Sequence, residues 1–294
     1  MADNVGNKAA KEYYLNVPAA HESFYVKGAS HCDWGMKNRM ARLFSPKSGN
    51  TVMLAFDHGY IMGPTAGLER IDIVIPSLFH YVDVLMGTRG VIRSCISPTA
   101  QVAKCVRVTY DSTVLFDDMS NGGGISCDIE NAIRMNADCM AVQTFIGSAG
   151  ESRSLELLAR TADAGTRYGI PTLGVVAVGK EMERTEQVFQ LATRVLAETG
   201  ANIVKSYYCE GFERVAAACP VPIVIAGGKK LPEMEALEMA YRAITEGAHG
   251  VDMGRNIFQS DSPAGMAVAI GKVVHEGYTP AQAYDVYETI KNAK

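Results

Sequence analysis

Four polar pieces of this sequence each follow directly on an apolar run: Asp57-His58 after "TVMLAF", Lys205 in "NIVKSYY", Gly227-Gly228-Lys229 after "VPIVIA", and Gly254-Arg255 closing "GVDMGR". A lysine at the end of a core strand has two readings. It can snorkel to solvent. Alternatively, partial burial disfavours the ammonium and frees the amine to attack a carbonyl, giving a Schiff base that drains electrons from a neighbouring carbon–carbon bond. Such an amine needs proton-transfer partners, which Asp57 and His58 can supply. Taken singly, Asp57 reads as a structural cap and His58 as a turn residue. Glycines let backbone N–H groups approach a phosphate closely, and Arg255 and Lys229 can add charge-assisted hydrogen bonds. A lone Gly-Gly or Gly-Arg is an ordinary turn, so the weight lies in finding both after consecutive strands.

These pieces need a scaffold that brings distant strand ends together. After residue 50 the chain alternates short apolar runs with longer amphipathic ones. Strands are expected at 51–57, 82–87, 105–110, 112–116 or a neighbour, 139–145, 171–178, 202–207, 221–226 and 250–254. Helices are expected at about 151–168, 184–199, 232–246 and 263–276. Parallel strands need crossovers, so the alternation implies a parallel sheet, either open and doubly wound or closed. Roughly eight units over about 230 residues favour a (β/α)8 barrel, whose active sites sit at the carboxyl ends of the strands. Residues 88–127 are the weak stretch, with two short strand candidates and a loop, "NGGGIS", at 121–126. No linker divides the chain, so 51–294 is read as one barrel domain and 1–50 as an N-terminal helical extension. Met36, Met40, Leu43 and Phe44 make one apolar stripe on a helix. That stripe can cap the closed end of the barrel or pack on a neighbouring subunit.

Composition excludes several classes. The net charge of −4 gives no electrostatic reason to expect nucleic acid or an anionic membrane as partner. Seven cysteines with no C-x-x-C pair read as reduced thiols, and the first thirty residues hold no signal-peptide run. A soluble cytoplasmic protein is expected. The six histidines show neither H-x-H nor H-x-x-x-H spacing, so no metal site is expected, and G-x-S-x-G is absent.

The blocks "MLAFDHGYIMGPTAGLERID", "IVKSYY", "VPIVIAGGKKLPEMEALEMA" and "GVDMGRNIFQS" resemble the archaeal-type class I fructose-bisphosphate aldolase family, the DhnA family. The likeness runs from about residue 33 to 261. It implies a TIM barrel, Lys205 as the covalent lysine, Asp57 and His58 as its acid–base neighbours, and phosphate held around Gly227, Gly228, Gly254 and Arg255. Family members resemble one another in placing a tyrosine acid after the fifth strand. Here "VVAVGKEM" puts Ala177 and Val178 where tyrosine and proline would stand, and alanine cannot shuttle the proton that sugar-phosphate aldol cleavage requires. The segment looks instead like the family's thiolase branch, which degrades a phosphorylated 2,4-dione signal of quorum sensing (autoinducer-2). That branch implies coenzyme A as co-substrate with no permanently bound cofactor, acetyl-CoA and dihydroxyacetone phosphate as products, and a homo-oligomer, a decamer by resemblance. Phe145 stands where the thiolases resemble each other in having a tyrosine, and Lys180 in "VGK" either reaches the substrate or points to solvent. Two alternatives stay open: a Schiff-base sugar-phosphate aldolase, and a non-catalytic barrel that sequesters a phosphorylated signal.

Overall fold

A computed structural model describes residues 16–18, 24–63, 65–116, 123–178 and 183–293. Eight strands close into a parallel barrel: β1 (Thr51–Ala55), β2 (Val84–Thr88), β3 (Ala103–Arg107), β4 (Cys139–Ile146), β5 (Thr172–Val178), β6 (Ile203–Tyr207), β7 (Ile223–Ala226) and β8 (Gly250–Met253). Each strand pairs in parallel with its sequence neighbour, and β8 closes on β1 with Met53 opposite Asp252. The fold is the (β/α)8 barrel that the strand–helix alternation implies.

The helices between the later strands fall within two residues of the expected bounds, at Glu151–Tyr168, Glu186–Glu198, Glu233–Thr245 and Pro263–Glu276. Their ends carry the local chemistry that stops and starts helices. Thr185 accepts from Val188 N, and Gly169 takes the left-handed conformation (φ 68°) beyond Tyr168. A last helix, Pro280–Asn292, was not among the expected elements although "TPAQ" spells its capping box. Its Tyr287 is buried, packing this helix into the outer layer. Among the described residues no helix is long and apolar enough to cross a membrane.

The weak middle departs from expectation. Residues 112–116 form no strand, and Val114, Leu115 and Phe116 all face solvent. The segment has β-prone residues but no unpaired edge to join, since the barrel is already closed, and packing opportunity overrides propensity. The strand expected at 105–110 starts earlier, at Ala103, and leaves the barrel after Arg107. Thr109–Tyr110 then pairs antiparallel with Gly124–Ile125, inside the stretch expected to be loop.

Alternation along each strand separates two cores. Outward residues such as Leu54, Leu85, Val142, Val204 and Ile225 pack under the helices. Inward residues Met53, Val84, Ala103, Cys139, Leu173, Ile203 and Val224 fill the lower barrel. Helix Trp34–Leu43, capped by Asp33 Oδ1 accepting from Met36 N, lays Met36, Met40 and Leu43 against that inner layer, and Phe44 follows them in. All four side chains are at most 4% exposed. Arg42 pairs with Asp138 at 2.9 Å and Arg39 donates to Gly169 O at 3.0 Å, fixing the helix across the strand starts. Among the described residues the barrel is therefore shut at one end and open at the other.

Candidate active site

The open end holds a cavity of about 210 Å³. Its wall includes Asp57, His58, Lys205, Gly227, Gly228, Gly254 and Arg255, so seven of the eight residues singled out in the sequence meet there. Lys229 does not. It is exposed and lies outside the cavity wall, while the next residue, Lys230, pairs with Glu233 at 2.8 Å. Phe145 is buried but off the wall, and Lys180 lies outside the described residues.

Asp57, just past β1, is not a free acid. Its Oδ2 accepts from Arg107 Nε at 2.8 Å and Nη2 at 2.5 Å, both side chains being buried. Burial alone would raise its pKa, but Arg107, helped by Lys205 and His58, outweighs that and holds it at about 2. Arg107 also donates to Gln143 Oε1 at 3.1 Å, and the same oxygen accepts from the Tyr60 hydroxyl at 2.8 Å. Burial pushes the Tyr60 phenol up to about 12. This network is a fixed electrostatic frame on one side of the cavity.

His58 is different. Its Nδ1 is buried and has no hydrogen-bond partner among the described residues, and its ring meets Phe258 edge-on at 6.0 Å. Burial, with Lys205, Arg255 and Arg107, lowers its pKa to about 4 against the opposing pull of Asp57. At neutral pH it is an uncharged imidazole, able to take a proton from a substrate or pass one on.

Lys205 stands inward in β6, 9% exposed, and its Nζ lies 2.9 Å from Asp252 Oδ2 and 3.7 Å from Met86 Sδ. Asp252, inward in β8, is buried, and that burial raises its pKa despite the lysine. Beside them, the turns after β7 and β8 are tied together by the wholly buried side chain of Asn256. Its Nδ2 donates to Gly227 O at 2.7 Å and its Oδ1 accepts from Leu231 N at 2.8 Å. Gly254 has no room for a side chain: a Cβ would sit 2.3 Å from Ala55 O and 2.6 Å from His58 Cε1. Gly254→Ala should therefore cost roughly 1–3 kcal/mol of stability by overpacking and displace His58. A lower urea midpoint together with a raised KM checks this.

Sequence reasoning missed Arg107, Gln143, Tyr60 and Asp252. The signal was present for two of them, since a charge at the centre of "CVRVT" or "GVDMG" cannot lie on the apolar outer face of a barrel strand. It must point into the barrel, where only a paired or reactive charge is tolerated.

Comparison with known proteins agrees with this architecture. Residues 51–260 match the DeoC/LacD family of aldolases. An uncharacterized aldolase of Pasteurella multocida is 52% identical over 288 residues, covering 98% of this chain and 99% of its own. The 3-hydroxy-5-phosphonooxypentane-2,4-dione thiolase of Yersinia pseudotuberculosis is 50% identical over 288 residues, covering 98% of each chain. In fold, the crystal structure of an archaeal fructose 1,6-bisphosphate aldolase superposes with a TM-score of 0.74 at 23% identity, covering 82% of this chain and all of its own. With the family match spanning most of the barrel and full-length relatives at half identity, this chain belongs to the DeoC/LacD family of aldolases.

Proposed function

We propose that this enzyme cleaves 3-hydroxy-5-phosphonooxypentane-2,4-dione with coenzyme A, giving acetyl-CoA and dihydroxyacetone phosphate. The observation that carries the reading is the position of Lys205 Nζ inside the open end of the barrel, on a wall shared with the β7 and β8 glycine turns. The 50% identity to proteins named as this thiolase supports the choice of substrate.

The phosphate is assigned to Gly227, Gly228, Gly254 and the guanidinium of Arg255, whose Nε is buried and has no hydrogen-bond partner among the described residues. Anchoring there places the ketone next to the phosphoester at Lys205, so that binding energy becomes alignment. The amine condenses with that ketone and water leaves. The coenzyme A thiolate adds to the distal ketone, and the bond between that carbonyl carbon and the hydroxyl-bearing carbon breaks. Its electron pair moves into the iminium as an enamine, and acetyl-CoA departs. A proton then returns to the carbon, and water releases dihydroxyacetone phosphate from Lys205. Neutral His58 is suited to take the thiol proton and return it to the enamine carbon. Asp57, pinned by Arg107, acts as a fixed negative charge rather than a proton carrier, which narrows the acid–base role expected of it.

Ala177 fits this chemistry. An acyl group is handed to a thiol, and no sugar hydroxyl has to be deprotonated on the fifth-strand side. The test is to supply the phosphorylated dione with and without coenzyme A and assay acetyl-CoA and triose phosphate separately. Equimolar products that appear only with coenzyme A are expected. Triose phosphate from fructose bisphosphate without thiol would replace this reading with the aldolase one.

A further inference from the structure

Asp252 is a buried acid that the steps above leave without a task. It stands in the middle of β8 at 1% exposure, and Lys205 is its only close partner, with Oδ2 at 2.9 Å from Nζ. Neither carboxylate oxygen accepts a hydrogen bond from any other described group. The contrast with Asp57 is informative. Both carboxylates are buried, yet Asp57 has a permanent cation bonded to it through two nitrogens, whereas Asp252 has only a group whose charge must vanish during reaction. Two charges in a dry site are each costly, and one proton passing from Nζ to Oδ2 removes both at once. A pair built only for stability gains nothing from that freedom.

We propose that Asp252 is a catalytic residue of the Schiff-base step, taking the proton from Lys205 Nζ as the ketone arrives and delivering it to the carbinolamine oxygen. This rests on the Lys205 chemistry proposed above. The balance closes. Ammonium and carboxylate become amine and carboxylic acid, and the amine adds to the carbonyl with proton transfer from nitrogen to oxygen. The acid then protonates the resulting hydroxyl, which leaves as water, so iminium and carboxylate remain. Hydrolysis runs the same steps backwards. Among the described groups no other acid lies within hydrogen-bond distance of Nζ: Asp57 is bound to Arg107 and the Tyr60 hydroxyl donates to Gln143. Burial raises the Asp252 pKa above its ordinary value, which favours the protonated form through which the step passes.

The experiment is rapid-quench borohydride trapping of the full chain with dihydroxyacetone phosphate, reading the mass adduct on Lys205 against time. Asp252→Asn should trap about 100-fold or more slowly, the scale of a lost general acid–base group, while its thermal shift with dihydroxyacetone phosphate stays near that of wild type. Asp252→Ala should be equally slow and recover progressively with added formate, which keeps the question answerable should the Asn variant fail to fold. A carboxylate that serves only as counter-ion holds the ammonium back, so its removal would leave trapping equal or faster. That result, or an Ala variant indifferent to formate, overturns the role of Asp252. Failure of wild type to trap at Lys205 overturns the Schiff-base reading itself, and this role with it.

Discussion

Lys205→Met should lower acetyl-CoA formation by about 10⁴-fold or more, the order lost when a covalent nucleophile is removed, and should leave a folded barrel. Methionine nearly matches the lysine stem in volume, and a neighbouring thioether, Met86 Sδ, already sits 3.7 Å from Nζ. What the variant loses is the counter-charge of Asp252. Breaking a buried pair costs about 3–5 kcal/mol when the remaining charge is trapped, but a carboxyl can escape by binding a proton. The Asp252 pKa is already raised in the fold, and more so without Nζ beside it. Below its ordinary value of 3.8 both folded and unfolded chains carry the proton and the penalty vanishes. As pH rises through the elevated folded value, the fold must release that proton in a dry site and stability falls. Urea unfolding should therefore show the variant close to wild type below pH 3.8 and progressively weaker as pH rises from there through the raised folded value. Retained turnover would remove Lys205 from the mechanism.

Arg107→Met should be the most damaging single change to the fold itself. It strands the buried Asp57 in the cavity wall and removes a donor from Gln143, and losing one partner of a buried pair costs about 3–5 kcal/mol. Pairing it with Asp57→Asn should recover much of that loss, because the orphaned charge goes as well. Wild type carries a related acid limb. The Asp57 pKa is about 2 in the fold against its ordinary 3.8, which contributes about 2 kcal/mol of stability at neutral pH. Because the folded value is the lower one, that contribution is present above pH 3.8 and disappears as pH falls toward 2. The double variant should lose this limb. Additive destabilisation by the two substitutions would show that the pair is not coupled.

The outer architecture was legible because each later repeat carries its own punctuation. Pro232 before Glu233, Glu235 in the first turn and Gly247 after Thr245 bracket one helix without reference to anything distant. The stripe of Met36, Met40, Leu43 and Phe44 likewise announced a buried helix, though not what it would be buried against. Residues 112–116 misled because local composition reports what a segment prefers, while strand formation needs a vacant edge. At the site, strand-end residues such as Asp57, His58 and Lys205 could be placed by one rule about where barrels work. The partners of those residues could not, since Arg107 meets Asp57 across 50 positions and Asp252 meets Lys205 across 47, distances no periodicity encodes. Lys229 shows the converse. Adjacency to a glycine turn put it on the candidate wall, but Gly228 turns the backbone with φ 65° and the next side chain points to solvent.

The stopper of methionine, leucine and phenylalanine under the strands makes the reaction chamber a blind alley. On the proposed chemistry, everything must queue through one doorway. The phosphorylated dione, the thiol, the acetylated thiol and the three-carbon remainder all pass the same rim, where the Gly227-Gly228 and Gly254-Arg255 turns stand. A helix outside the catalytic barrel thereby confines the traffic to one face, at a lysine it never touches.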